Sequence, residues 1–203
     1  MKLLVFGQTG QVAQEMARQC PKQWNMQCLD RAAADLSNPD ACARIIQSSD
    51  ADIVLNAAAY TAVDRAETEE ELATLVNANA PAAMARAAAS KAIPFVHLST
   101  DYVFDGCYTA ARAPDSPTNP LGVYGRTKLG GELGVRAAEG AHVILRTSWV
   151  FSAHGSNFVK TMLRIGGERE TINVVSDQVG GPTSAADIAA ALLVMAGQFH
   201  AAS

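Results

Sequence analysis

The chain has 203 residues, 49% hydrophobic and 18% charged, which is enough for one sizeable core. Its formal net charge is −4 and no run of Lys or Arg stands out, which argues against nucleic acid and membrane surfaces as partners. No apolar run is long enough for a membrane span, and the N-terminus enters a strand pattern instead of a signal peptide. The cysteines (Cys20, Cys28, Cys42, Cys107) and the histidines are scattered without metal-ligand spacing. The expectation is a cytoplasmic protein with reduced thiols and no metal centre.

Short β-rich runs alternate with Ala-rich helical runs from the first residue, the pattern of βαβ units and a parallel sheet. Leu3-Leu4-Val5-Phe6 suits a buried parallel strand. Gly7-Gln8-Thr9-Gly10-Gln11-Val12 follows and leads into a helix. Glycines three apart between strand and helix let the backbone approach a pyrophosphate, and the helix N-terminus offers free N–H groups. Ala13 takes the third small position, where close helix–strand packing is needed. A second strand at 26–29 ends at Asp30-Arg31. Asp30 stands where a carboxylate holds a ribose 2′-hydroxyl, whereas Arg31 suits a 2′-phosphate, so NADH and NADPH both stay open. Ser37 or Asn38 is available to cap the next helix.

A third strand at 53–55 runs into Asn56-Ala57-Ala58-Ala59-Tyr60. Small residues there allow a flat ligand to lie on the backbone, although tight packing accounts for any single alanine equally well. Helices are expected over 69–80 and 82–91, broken near Pro81, with Asn77 facing either the site or solvent. A fourth strand at 95–98 finishes at Ser99-Thr100-Asp101-Tyr102. Polar residues just past the C-terminal end of a parallel strand lie where open α/β sheets bind ligands.

Residues 105–119 read as a surface loop, and the next helix opens with Tyr124 and Lys128. Four residues is about one helical turn, so phenol and ammonium share a face. A nearby lysine cation is expected to lower the tyrosine pKa towards acid–base use. With Thr100 the pair makes a hydroxyl–Tyr–Lys constellation. A fifth strand at 143–145 precedes Trp149, which is either core or ligand contact. A helix at 157–165, a further strand at 171–175, a loop at 177–183 and a helix from Ser184 complete the chain. The expected fold is α/β, a Rossmann-type doubly wound parallel sheet.

Taken in order, these segments resemble the extended short-chain dehydrogenase/reductases, and within them the dTDP-4-dehydrorhamnose reductase family. The segments are the Gly7–Val12 turn, Asn56 to Asp64, Ser99 to Gly106, Tyr124 to Lys128, Arg146 to Val150, and Asp177-Gln-Val-Gly-Gly-Pro-Thr183. The resemblance implies hydride transfer from NADPH or NADH to the C4 ketone of dTDP-6-deoxy-L-lyxo-4-hexulose. Tyr124 would protonate the oxygen, Lys128 would hold the nicotinamide ribose, and Thr100 would bond the carbonyl. It implies cofactor contacts at Gly7, Gln8, Thr9, Gly10, Gln11, Val12, Asp30, Arg31, Asp35, Leu36, Ala57, Ala58, Ala59, Tyr60, Tyr124 and Lys128. Substrate contacts would come from Thr100, Asp101, Tyr102, Trp149 and Asn157. It further allows a homodimer, which some members bridge with magnesium through glutamates. Glu15 matches one such ligand but Ala186 stands in place of another, so no metal is expected. Family members are substantially longer than this chain, so the resemblance implies an NAD(P)-binding domain over residues 1–150 and, over 151–203, the start of a truncated substrate-binding portion interleaved with the last Rossmann elements. The competing readings are a non-catalytic regulatory subunit of the methionine adenosyltransferase type and a sugar-nucleotide epimerase or dehydratase.

Overall fold

Runs of branched and aromatic residues form five parallel strands: β1 (Lys2–Phe6), β2 (Asn25–Leu29), β3 (Ile53–Asn56), β4 (Phe95–Thr100) and β5 (His142–Thr147). In the computed structural model, which describes residues 1–107 and 110–201, they lie in the order β2-β1-β3-β4-β5. This is a doubly wound sheet, as the alternation of strand and helix patterns predicts. Side chains alternate across it with the period of two that a strand imposes. Leu4, Phe6, Val54 and Phe95 face a core shared with α2 (Pro39–Ser48) and α5 (Ala80–Ser90). Leu3, Val5, Ile53, Leu55 and Val96 face the opposite core, under α1 (Gln11–Gln19) and α8 (Ala185–Ala201). Both faces are covered, which explains why the central strands read as continuous apolar runs.

Between β3 and α5 lie two short helices, α3 (Val63–Ala66) and α4 (Glu70–Thr74). The expected break near Pro81 does not occur. A π turn at Leu75–Asn79 joins α4 to α5, and Pro81 sits in the first turn of α5, where its missing N–H removes no helical bond. Helix α6 (Val123–Ala137) carries the Tyr124 segment and packs beside α5 and the π turn. Three glycines let it approach closely: a Cβ on Gly131 would lie 2.2 Å from the Asn77 carbonyl oxygen. Backbone cannot step aside there, so Gly131→Ala is expected to cost at least about 1–3 kcal/mol. Thermal denaturation checks this, and an unchanged midpoint would contradict the packing described.

After β5 the chain forms a two-stranded parallel sheet from β6 (Val150–Phe151) and β7 (Thr183–Ser184), separated by α7 (Phe158–Glu168). The strand expected at 171–175 is absent, and Val174 and Val175 are exposed. A β-branched run becomes a strand only where another ladder is in reach, and none lies beside this one. Helix α7 buries no residue in this chain; Leu163 is 73% exposed. No helix among the described residues is long and apolar enough to cross a membrane.

The strand order reverses between β1 and β3, and open sheets of this kind form a crevice at the C-terminal strand ends there. Gly7, Asn56 and Thr100 stand at or just past those ends.

Candidate active site

Gly7 takes φ +107°, a conformation that favours glycine, and a Cβ there would lie 3.2 Å from the Ala58 nitrogen and 3.3 Å from the Ala57 carbonyl carbon. Bare backbone from β1 thus meets bare backbone after β3. Gly10 caps α1 without a side-chain acceptor, and nothing lies within 4 Å of where its Cβ would be. The first N–H groups of α1 therefore face open space across a side-chain-free turn, a cradle that fits a dinucleotide pyrophosphate.

The other expected cofactor residues divide by what their side chains already do. Gln8 and Thr9 are exposed on the turn, and Ala57, Ala58 and Ala59 are half-buried. Val12 and Leu36 are buried in the two cores, leaving only backbone for a ligand. Gln11 is a joint: its Oε1 accepts from Ser152 Oγ at 3.0 Å and from Asn157 Nδ2 at 2.8 Å. Asp30 accepts from the Ala33 nitrogen at 2.9 Å, and exposed Arg31 lies 3.7 Å from Asp35. Tyr60 donates its hydroxyl to Glu69 at 2.6 Å.

Thr100 ends β4, donates to Asp101 Oδ1 at 3.1 Å, and accepts from the Tyr102 nitrogen at 3.2 Å. Tyr124 enters the same cluster from the first turn of α6. Its ring meets the Tyr102 ring edge-on at 5.5 Å. Burial pushes the Tyr124 pKa up to about 12; the neighbouring Thr100 hydroxyl opposes the shift, while Asp101 and Tyr102 add to it. The expectation of a lowered phenol pKa is thereby reversed. Lys128, the group that was to lower it, instead directs its Nζ at the Leu98 carbonyl oxygen, 2.6 Å away, and at His97 Nε2, 3.4 Å away. The result is a neutral phenol at ordinary pH, the form that can give a proton to an oxygen.

Lys128 is 2% exposed, and burial lowers its pKa to about 8, against an upward pull from Glu132. A folded pKa below the unfolded value of 10.5 means that proton binding favours the unfolded chain below that range. Lys128→Met is therefore expected to raise the thermal midpoint at neutral pH. The gain is full below about pH 8 and shrinks as pH climbs from 8 towards 10.5, where the native lysine is itself neutral. Melting curves at several pH values check the sign.

The supporting residues were mostly hidden in the sequence. Glu132 lies one turn beyond Lys128 and is fully buried. It accepts from Ser99 Oγ at 2.6 Å, from Arg146 at 2.6 and 2.8 Å, and from Arg136 at 3.2 Å. Burial alone would raise its carboxyl pKa; Arg146 and Ser99 outweigh that, and the net shift is downward. Arg146 also lies over the Phe104 ring at 5.0 Å and donates to the Pro114 carbonyl, tying down part of the loop after β4. Glu67, distant in sequence, accepts from the Val123 nitrogen at 2.8 Å and so caps the helix that presents Tyr124. Asn77 is 1% exposed and binds both backbone polar groups of Tyr60 and the Thr127 hydroxyl, so its place is neither solvated nor open to a ligand.

On the far side of the crevice Trp149 adopts φ +43°, a strained conformation for a bulky residue. Its ring packs so tightly on Gly180 that a Cβ there would lie 2.5 Å from Cε2. Ser148 donates to the Gly181 carbonyl at 2.6 Å, and the Thr183 nitrogen donates to the Trp149 carbonyl at 3.2 Å. The 177–183 loop is thus fastened onto Trp149, which stays 40% exposed. Asn157 is engaged as the cap of α7, accepting from the Lys160 nitrogen and donating to Gln11 and Ser152. Thr147, paired with Thr100 across β4 and β5, has a buried hydroxyl with no hydrogen-bond partner in the structure.

Residues 1–203 match the family described as the RmlD substrate binding domain. The chain belongs to that family. It is 45% identical over 196 residues to the dTDP-4-dehydrorhamnose reductase of Sinorhizobium fredii, covering 97% of this chain and 66% of that enzyme. The crystal structure of a dTDP-4-dehydrorhamnose reductase from Clostridium acetobutylicum superposes with a TM-score of 0.93 at 37% identity, covering 98% of this chain and 71% of the other. That of Bacillus anthracis, in complex with NADP, superposes with a TM-score of 0.91 at 34% identity, covering 96% and 70%. The chain thus spans about two thirds of the length of the curated relatives it matches.

Proposed function

We propose that this chain carries the cofactor cradle and the reacting residues of an NAD(P)H-dependent reductase acting on the C4 ketone of dTDP-6-deoxy-L-lyxo-4-hexulose, yielding dTDP-L-rhamnose. The observation that carries the reading is the half-buried, neutral Tyr124 phenol in the Thr100–Asp101–Tyr102 cluster at the end of β4, together with a glycine turn that fits a pyrophosphate. NADPH or NADH, when bound, supplies the hydride. Gly7, Gly10 and the α1 N-terminus bind its pyrophosphate through backbone N–H groups, and Asp30 and Arg31 meet its adenosine ribose. Tyr124 gives its phenolic proton to the carbonyl oxygen as charge builds there, and Thr100 donates to the same oxygen. Lys128 orients the nicotinamide ribose. Asp101, Tyr102 and Trp149 line the sugar side.

The names of the relatives support the reductase over the regulatory-subunit and epimerase readings. A cytoplasmic location fits four free cysteines and the pool of reduced nicotinamide, and self-association as a homodimer belongs to the same proposal. Fractionation and sedimentation of the full-length protein test these two points. The activity is tested by loss of reduced-nicotinamide absorbance when the full-length gene product receives the dTDP-4-keto-6-deoxy-L-sugar. Stoichiometric oxidation with dTDP-L-rhamnose as product is expected. Cofactor binding without net oxidation would remove the reductase reading and bring the regulatory one forward.

A further inference from the structure

Behind Lys128 lies a buried polar chain that the proposed reaction does not use. His97 is fully buried on β4, and the β3–β4 register sets it directly beside Asn56. Asn56 Nδ2 lies 3.2 Å from His97 Nδ1, and Asn56 Oδ1 accepts the Ala58 N–H at 3.1 Å. The Ala58 bond fixes which end of the amide is which, because turning it over would set the NH2 group against a backbone N–H. With Nδ2 donating, His97 Nδ1 must accept, and the ring proton must sit on Nε2. That nitrogen points at Lys128 Nζ, 3.4 Å away.

We propose that His97 is a positioning residue for Lys128: Asn56 holds it as the Nε2–H form, and its N–H meets the lysine as a donor, favouring the neutral amine over the ammonium. This rests on the reductase reading for its purpose. When Tyr124 gives its proton to the new alkoxide, it becomes a phenolate that must be reprotonated. Lys128 Nζ is directed at Leu98 and His97 and not at the phenol, so its ammonium passes a proton on through water and becomes an amine; the amine lone pair then accepts the His97 Nε2–H while one N–H stays on the Leu98 carbonyl. Charge is conserved, and solvent returns the proton to Lys128 at the end of the turnover.

The charged and titratable groups around the pair are few. Helix α6 contributes Glu132 and Tyr124, β5 contributes Arg146, already paired with Glu132, and Asp101 follows β4. Asn56 on β3 is neutral. Burial and the Lys128 charge both hold the His97 pKa well below its ordinary value, so the ring is neutral throughout the working range and its tautomer, not its charge, is the variable.

The test uses full-length protein labelled with 15N-histidine. Long-range 1H–15N correlation should show His97 with Nε2 protonated and Nδ1 bare. The Nε2 shift should move with the same midpoint as the alkaline limb of kcat/KM for the reduced nicotinamide, which reports free-enzyme groups. Asn56→Asp offers only acceptors, so it should invert the tautomer, turn a lone pair towards Lys128, and move that limb upward by about one pH unit or more. An Nδ1–H ring in the native protein overturns the proposal, as does an Nε2 resonance that ignores the limb. A folded Asn56→Asp protein with an inverted ring and an unmoved limb overturns it too. The ring pattern and its titration are read without substrate, so failure of the reductase reading would appear separately, as no oxidation at all.

Discussion

Tyr124→Phe in the full-length protein is expected to reduce turnover of the 4-keto sugar by about 10²–10⁴-fold, with little change in cofactor affinity. In the proposed reaction the phenol is the proton donor to the carbonyl oxygen that Thr100 also meets, and phenylalanine keeps the ring packing on Tyr102. A loss confined to kcat marks an interaction made in the transition state, whereas a rise in KM alone would mark ground-state binding. Burial at about pKa 12 adds a second expectation: the Tyr124 group itself sets no limb of the pH profile in the neutral range. Lys128, whose pKa burial lowers to about 8, is the group expected to set an alkaline limb there.

Glu132→Ala should be the most destabilising single substitution at the site. It leaves Arg146 without its carboxylate and Ser99 without an acceptor. Removing one partner of a buried ion pair costs about 3–5 kcal/mol. Replacing both charges by apolar groups is far milder, so Glu132→Leu combined with Arg146→Met should recover much of the loss. Arg146 also holds Pro114 and stacks on Phe104, so the recovered protein should still have a loosened loop after β4 and a raised KM for the sugar nucleotide. Chemical denaturation of the single and double variants checks the stability, and a single variant as stable as the parent would show that the network carries no weight.

The sheet and most of the helices were legible because burial on both faces leaves a plain mark: 3–6 and 53–55 are unbroken apolar runs. The glycine turn, Thr100, Tyr124 and Lys128 were legible because their chemistry needs those residue types at those strand and helix ends. What hid was whatever depends on a third dimension. Thr171 to Val175 has strand composition, but only a neighbouring ladder makes a strand, and the sequence does not say whether one is near. Pro81 suggested a break, while the π turn before it let the helix run on. Asn56, His97 and Glu132 gave no signal individually; they become one chain only through the β3–β4 register and the α6 turn that stacks Glu132 after Lys128. The sign of the Tyr124 shift was misread for the same reason, since Tyr-x-x-x-Lys spacing fixes a shared face but not where the ammonium points.

Stability and chemistry pull against each other at Lys128, where a buried cation is kept at a cost to the fold. Its Nζ donates to the Leu98 carbonyl and lies 3.4 Å from His97 Nε2, which Asn56 holds in turn.

The measurement that bears most directly on the proposed chemistry is transfer of deuterium from the reduced nicotinamide, labelled at its C4 carbon, to the sugar by the full-length protein. One deuterium per turnover should appear at C4 of the dTDP-L-rhamnose formed, with none taken from solvent at that carbon, and Tyr124→Phe should slow its appearance. A dTDP-L-rhamnose without cofactor-derived deuterium when both C4 hydrogens of the nicotinamide are labelled, or solvent deuterium at the sugar carbon, would contradict a direct reduction by this site.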